Sequence, residues 1–197
     1  MKKIFTFFLF SIIFITNANN SFSIEPDVFI QSTVNRAADT LSSNLSKEER
    51  IEELKQIARD TVDIDGIGLY SLGSHRKDLN KNQLSDYKRV FEQYFLKSFS
   101  SRLAEYSNPE IEVISKNKIN ENYTIVLSKL VGTDTRPEVK IEWRVYTKNL
   151  DNLLIRDLII EGLSLARTQK EEFNSIINSN NGNIEALLKN LTNFSST

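Results

Sequence analysis

Asp157 and Glu161 are the acidic residues best placed to do chemistry, because Asp157 interrupts an apolar segment and Glu161 ends it. A pair of carboxylates can share acid and base catalysis. On an extended strand, residues four apart are separated by roughly 13 Å, which exceeds the distance between the paired carboxylates of glycosidases. We therefore expect Asp157 to have a structural role, in which it pairs with Arg144 on a neighbouring strand or accepts hydrogen bonds from backbone donors.

His75 is the only histidine of the chain, so any Ser-His-Asp triad would have to use it. No Gly-x-Ser-x-Gly motif accompanies it, and a hydrolase of that type is not indicated. Asp63 and Asp65 lack the other ligands of a calcium-binding loop and are better explained as acids at a helix N-terminus. The absence of cysteine excludes thiol catalysis, disulfide bonds and cysteine-based zinc sites. The residues therefore predict no catalytic site, no metal site and no cofactor.

Residues 1–23 have the composition of a secretory signal peptide. Two lysines precede an apolar run of about a dozen residues, and small residues follow, with Ser23 or Ala18 at the cleavage site. A helix of that length covers roughly 18 Å, too little for the ~30 Å hydrocarbon layer of a membrane. We expect cleavage near Ser23, export to the periplasm and a mature domain, 24–197, that does not span the membrane. An uncleaved anchor is the alternative.

The mature composition favours a folded domain that does not bind nucleic acid. Without the two lysines of the signal, 23 basic residues face 26 acidic ones, so the formal charge changes from -1 to -3. Affinity for a phosphate backbone depends on excess positive charge, which this chain lacks. Six of the twelve phenylalanines and all six tyrosines lie in residues 24–197, and they supply bulky apolar side chains for a core.

Helical periodicity covers about residues 26–106. Capping boxes at Ser46 and Asn80 open two of the helices, and Gly73 ends a short helix that begins near residue 62. The helix after Asn80 carries a heavy aromatic stripe. Such a stripe either packs in an ordinary core or lines a wide apolar cavity.

From about residue 110 to residue 160 the hydrophobic period changes to two. Four candidate strands begin near residues 111, 123, 139 and 153, and the short connections between them indicate an antiparallel meander. Helical periodicity returns after Gly162 and continues to about residue 192. Helices, then a sheet, then helices predict the α+β class in a single domain.

A set of short motifs is spread over most of residues 26–192. They are Val62-Asp63, Leu72-Gly73, Arg76, Gln83, Phe91, Phe95, Tyr106, the strand Ile141-Glu142-Trp143-Arg144-Val145, the segment from Asp157 through Glu161 and Gly162 to Ser164, the helix residues Gln169 and Phe173, Gly182, and Leu187, Leu188 and Leu191. Together these motifs resemble the MlaC (toluene-tolerance) family of periplasmic phospholipid-binding proteins, which are auxiliary components of an ABC transporter. One departure is the Leu153-Leu154 pair, where the family often carries a tryptophan.

The resemblance implies an NTF2-like twisted antiparallel sheet of about four strands, wrapped by helices around a deep apolar pocket. It further implies a monomeric, non-enzymatic phospholipid carrier. The carrier would shuttle lipid between an outer-membrane lipoprotein complex and an inner-membrane MCE protein with its ABC transporter, and so maintain outer-membrane lipid asymmetry. Burial of one methylene contributes ~0.8 kcal/mol, so two acyl chains favour a dry cavity by on the order of 20 kcal/mol.

The pocket residues follow from this reading as an expectation. An inward sheet face would oppose aromatic and aliphatic residues of the helices, and together they would comprise Leu69, Phe91, Phe95, Phe99, Ile125, Leu127, Ile141, Trp143 and Val145. A structural motif at the strand-to-helix turn would comprise Asp157, Glu161, Gly162 and Ser164. Two alternatives are an NTF2-like enzyme that uses Asp157 as a base on a hydrophobic substrate, and a lipid-free periplasmic adaptor.

Overall fold

Capping signals set the starts of the N-terminal helices in the computed structural model, which describes residues 24–106 and 109–196. The Ser46 hydroxyl accepts the Glu49 N–H at 3.2 Å, and the Glu49 carboxylate accepts the Ser46 N–H at 2.8 Å. Asn80 and Gln83 form the same reciprocal box. The helices are α1 (Pro26–Ser42), α2 (Lys47–Thr61), α3 (Ile64–Leu72) and α4 (Lys81–Leu103), with a 3-10 turn at Gly73–Lys77.

The second part of the chain forms an antiparallel sheet followed by two helices. The strands are β1 (Ile111–Asn120), β2 (Tyr123–Leu130), β3 (Val139–Tyr146), β4 (Leu154–Ile160) and β5 (Leu163–Ser164), and the helices are α5 (Leu165–Ser179) and α6 (Ile184–Ser196). Each strand pairs with the next along the chain, so the sheet is a meander. The α+β class and the four long strands are confirmed, and the two-residue β5 is an addition.

One face of the sheet packs against α1 and forms a core with it. Val126, Trp143 and Val145 lie directly opposite or diagonal to one another on this face, and Ile30 and Val34 of α1 pack on them. We call it the α1 face. Side chains alternate along each strand, so their neighbours Ile125 and Arg144 lie on the other face, which we call the open face.

A second core holds the helices together. Tyr87 and Phe91 of α4 and Phe173 of α5 are almost completely buried, with ring centroids 5.7–6.5 Å apart. Residues of α3 and α6 complete this cluster. Gly68 lets α3 approach closely, since a Cβ at that position would lie 2.7 Å from the Phe91 ring. The helices therefore form a layer that is fixed mainly by its own packing.

The predicted signal peptide and its predicted cleavage site near Ser23 lie outside the described residues. Within residues 24–106 and 109–196, no helix combines the length and the apolar character needed to cross a membrane.

Candidate functional site

A cavity of about 570 Å³ lies between the open face of the sheet and α3. Part of its wall is apolar and is formed by Leu69, Ile119, Ile125, Ile159 and Ala166. The rest is polar and is formed mainly by Tyr70, Arg76, Tyr123, Glu142, Arg144 and Arg156. Three arginines thus stand around a partly apolar space, which is an arrangement suited to a ligand with an apolar body and an anionic end.

The N-terminus of α3 is attached to strand β4 through Asp63. One carboxylate oxygen of Asp63 accepts the Gly66 N–H at 2.9 Å and caps the helix, while the other accepts the Arg156 Nε–H at 2.6 Å. The Asp63 N–H donates to the Ile155 carbonyl at 2.9 Å. The sequence prediction of Asp63 as a helix N-terminal acid is confirmed, and its pairing with Arg156 fixes α3 over the sheet.

Arg156 is held by three different groups at the edge of the cavity. Besides the Asp63 contact, its Nη1 donates to the Tyr123 hydroxyl at 2.9 Å, and its guanidinium lies 3.6 Å from the centroid of the Tyr146 ring. A bulge in the β3–β4 pairing directs Arg156 to the open face. Burial acts to lower the pKa of Arg156, but the contacts with Tyr123 and Asp63 outweigh it and raise that pKa. Arg156 therefore stays charged and has few donors left for a ligand.

Asp157 organises the turn from β4 into α5. Its side chain is buried, one oxygen accepts the Ala166 N–H at 3.0 Å, and the other accepts the Ser164 hydroxyl at 2.6 Å. Ser164 in turn accepts the Arg167 N–H at 3.1 Å and caps α5. The Arg144 guanidinium lies 3.7 Å from Asp157, which is the cross-strand pair expected from sequence. Both carboxylate oxygens are therefore engaged in structural contacts.

Glu161 and Gly162 provide the reversal in this motif. Both have positive φ angles, 48° and 82°, and Gly162 adopts such an angle without the steric cost of a side chain. The Glu161 carboxylate accepts the Lys140 N–H of the neighbouring strand. The four motif residues thus lie together at the end of β4.

The expectation of a single inward sheet face was wrong. Ile125 pairs with Arg144, and Leu127 pairs with Glu142, so both lie on the open face. Ile141, Trp143 and Val145 lie on the α1 face and pack in the core with α1. The Trp143 indole donates to the Ser128 hydroxyl at 2.8 Å within that core. Each strand alternates as predicted, but sequence alone does not say which face of β2 matches which face of β3.

The predicted aromatic residues of α4 also do not face the sheet. Phe91 and Phe95 belong to the helical cluster, whose described members come from the helices and the segments that flank them. Phe99 stacks on Phe95 with a centroid distance of 5.8 Å. Of the nine predicted pocket residues, Leu69 and Ile125 line the cavity. A lipid-binding role stays a prediction for all nine.

Sequence reasoning did not assign Arg156, Tyr123 or Arg76 to the wall of the cavity. Arg156 had a signal, since a charged residue within an apolar strand calls for a partner. Tyr123 and Arg76 gave no signal that they line the cavity, because strand register and the packing of the 3-10 turn decide which side chains lie there. Among residues 24–106 and 109–196, no group of acidic and histidine side chains is arranged to hold a metal ion.

Comparison with known proteins decides the family. A family model described as "MlaC protein" matches residues 31–193. The chain belongs to the MlaC family. Because the match covers most of the chain, it confirms the resemblance that the sequence motifs carried. No curated protein matches this MlaC family member.

A solved structure shows the same fold. This MlaC family member is similar to the phospholipid-binding protein from Ralstonia solanacearum, solved in complex with a phospholipid, with a TM-score of 0.73 and 16% sequence identity. The similarity covers 88% of this chain and 98% of that one. At this identity the likeness concerns the fold. The deep apolar pocket stays a prediction, because the cavity described above has a mixed wall.

Proposed function

We propose that this MlaC family member is a periplasmic phospholipid carrier whose acyl-chain site lies between α3 and the open face of the sheet. The observation that carries the proposal is the cavity of about 570 Å³, which combines an apolar wall with arginines. Family membership supports it, and so does a fold shared with a protein that was solved with a bound phospholipid.

The physical requirement for such a carrier is a space that excludes water from the acyl chains. Two chains of about fourteen methylenes each are stabilised by on the order of 20 kcal/mol when they leave water. Leu69, Ile125 and Ile159 offer apolar surface for this purpose. The charged head group keeps its hydration if it stays at the mouth, so the cations need not be deeply buried.

The cavity must enlarge when it takes up a diacyl lipid. Its volume lies within the roughly 300–1,000 Å³ of pockets that hold drug-sized ligands, and a diacyl phospholipid is larger than such a ligand. The N-terminus of α3 is held to β4 by Asp63 and Arg156, so the enlargement must come from the rest of the cavity wall. Phe95, which packs against the helical cluster, and Phe99, which stacks on Phe95, would then extend the apolar wall.

We further propose the cellular context that the family implies. The chain is exported after cleavage near Ser23 and works as a monomer. It receives and delivers lipid between an outer-membrane lipoprotein complex and an inner-membrane MCE protein with its ABC transporter, and so maintains the lipid asymmetry of the outer membrane. Catalysis by Asp157 has little support, since Ser164 and Ala166 occupy its two carboxylate oxygens.

Lipid extraction from purified protein tests the proposal. The full chain is expressed in a Gram-negative host, recovered from the periplasmic fraction and analysed for bound lipid by mass spectrometry. We expect about one phospholipid per protein, a stoichiometry that native mass spectrometry checks directly. A protein without lipid, which also takes up none from vesicles, would instead favour the adaptor alternative.

A paired substitution locates the site. Ile159→Asp places a charge in the apolar wall, directly opposite Glu142, and is expected to reduce the lipid content severalfold, because a carboxylate beside another acid is costly to bury. Val28→Asp is the matched control, since Val28 is 57% exposed on α1. Equal lipid content in the two folded variants would contradict a site on the open face.

A further inference from the structure

The three arginines of the cavity differ in how far their donors are already used. Arg156 contacts Asp63, Tyr123 and the Tyr146 ring, so its guanidinium is committed to holding α3 on the sheet. Arg76 and Arg144 have much weaker attachments. A guanidinium carries five N–H donors, and donors without protein partners are open to a ligand.

Arg76 stands at the cavity wall with its charge unneutralised. It lies in the 3-10 turn after α3, is exposed, and donates from Nη1 to the carbonyl of Leu69, another wall residue, at 3.2 Å. Among residues 24–106 and 109–196, no carboxylate forms an ion pair with Arg76. This bond uses one of its five N–H donors and leaves the others open to the solvent and the cavity.

Arg144 reaches the same space from the middle of the sheet. It lies on β3, between Ile125 of β2 and Asp157 of β4, and 46% of its side chain is exposed. Its only ion pair among the described residues is the 3.7 Å contact with Asp157, which already accepts two shorter hydrogen bonds. Asp157 keeps these two hydrogen bonds if Arg144 turns toward an anion, so its carboxylate stays satisfied.

The two acids of this wall, Glu142 and Asp157, do not cancel the charge of Arg76, and Asp157 contacts Arg144 only at 3.7 Å. Glu142 also lines the cavity, but its carboxylate is 2.7 Å from the Lys140 ammonium. Asp63 is likewise paired with Arg156. The remaining positive charge comes from Arg76 and Arg144, which approach the cavity from the helical side and from the sheet side.

We propose that Arg76 and Arg144 form an anion site that binds the phosphate diester of the lipid carried in the adjoining cavity. This inference rests on the proposed function and adds to it a rule of selectivity. A guanidinium fork matches two phosphate oxygens, whereas an uncharged glycerol hydroxyl offers it a single, weaker acceptor. The protein therefore selects diacyl lipids that carry a phosphate over neutral diacylglycerol, with little regard for the group beyond the phosphate.

A competition for lipid uptake tests the site. The full chain is incubated with vesicles of phosphatidylethanolamine, phosphatidylglycerol and diacylglycerol with identical acyl chains, then re-isolated and analysed for bound lipid by mass spectrometry. Wild-type protein is expected to favour each phospholipid over diacylglycerol. R76Q/R144Q is expected to lower that preference roughly tenfold, the magnitude of one lost charge-assisted hydrogen bond, with diacylglycerol uptake unchanged.

Matched variants separate a phosphate contact from a general effect of charge. R89Q removes an exposed arginine of α4 that pairs with Asp86 at 3.4 Å, and it should keep the wild-type preference. R76K/R144K keeps both charges but loses the planar fork, so its preference should lie between those of the wild type and R76Q/R144Q. An unchanged preference in R76Q/R144Q would overturn the inference.

Two further results keep the inference apart from the proposed function. If the wild type takes up no lipid of any kind, the carrier proposal itself fails. If lipid uptake is normal but the wild type binds inorganic phosphate in solution, R76Q/R144Q does not, and their lipid preferences are equal, the site serves free phosphate. That outcome contradicts the lipid assignment and leaves the carrier intact.

Discussion

At the scale of single residues, Asp157 is a polar side chain whose two carboxylate oxygens are both engaged. It is buried, and it joins the end of β4 to the start of α5 through Ser164 and the Ala166 N–H. A buried donor that loses its acceptor carries the full cost of its desolvation. This is why the carboxylate stabilises the fold although it is in the wall of the cavity.

Asp157→Ala should lower the free energy of unfolding by about 2–3 kcal/mol, because the Ala166 N–H and the Ser164 hydroxyl lose their acceptor. Urea denaturation measures the change. Asp86→Ala is the control, since Asp86 is exposed and forms a 3.4 Å pair with Arg89 on the surface of α4. Similar losses in both variants would contradict the structural role given to Asp157.

Tyr87 gives the fold a dependence on alkaline pH. Its ring is fully buried and its hydroxyl donates to the Gly68 carbonyl at 2.8 Å. Burial raises the pKa of Tyr87 well above its usual value of 10.0. The stabilisation is present below the unfolded pKa and is lost as the pH rises above it, since the unfolded chain then releases a proton that the folded chain keeps.

Above about pH 10, Tyr87 should therefore lower the free energy of unfolding by up to about 1.4 kcal/mol for each pH unit. Tyr87→Phe should remove this part of the slope, at the cost of about 1 kcal/mol near neutral pH from the lost hydrogen bond. Tyr70→Phe, at a position 44% exposed, is the control that should leave the slope unchanged. Identical alkaline slopes for wild type and Tyr87→Phe would refute the argument.

At the scale of elements, α3 connects the helical layer with the sheet, as α5 also does. Asp63 and Arg156 attach its N-terminus to β4, and Gly68 allows its middle to rest on Phe91. Arg156→Lys should weaken the first attachment, because lysine lacks the fork that reaches both Asp63 and Tyr123. Amide hydrogen exchange in α3 is expected to accelerate at least severalfold. Arg59→Lys, which alters an exposed 3.4 Å pair with Glu92, should leave that exchange unchanged.

Close packing at Gly68 can be tested by a double-mutant cycle. Gly68→Ala should destabilise the protein by about 1–3 kcal/mol, because the new Cβ would overlap the Phe91 ring, and this outweighs alanine's better helix propensity. Phe91→Leu costs stability by itself but removes the overlap. The two substitutions together should therefore cost less than their sum, and simple additivity would show that the two residues do not conflict.

The elements themselves could be predicted from sequence to a large extent, since their signals are local. The boxes at Ser46 and Asn80, the glycine at the end of α3 and the alternation along β2 and β3 each involve only neighbours in the chain. The site depends on the pairing between strands. A bulge decides that Arg156 points to the cavity, and the register decides that Ile125 shares a face with Arg144 and not with Trp143. Neither feature leaves a periodic trace in the sequence.

At the scale of the whole molecule, the two faces of the sheet differ in what packs on them. The α1 face is filled by side chains and stabilises the fold, while the open face and α3 enclose the cavity. Lipid uptake should therefore change the structure around the cavity before it changes the core on the α1 face. The acyl chains are expected to lie against Leu69, Ile125 and Ile159, away from Ile30 and Trp143.

Photo-crosslinking with a phospholipid that carries a diazirine in one acyl chain tests this placement most directly. The protein is loaded with the probe, irradiated and digested, and the labelled residues are identified by mass spectrometry. We expect labels on α3 and on open-face residues of β2 and β4, including Leu69, Ile125 and Ile159. Labels confined to the α1 face around Trp143, or none above the level of a lipid-free control, would contradict it.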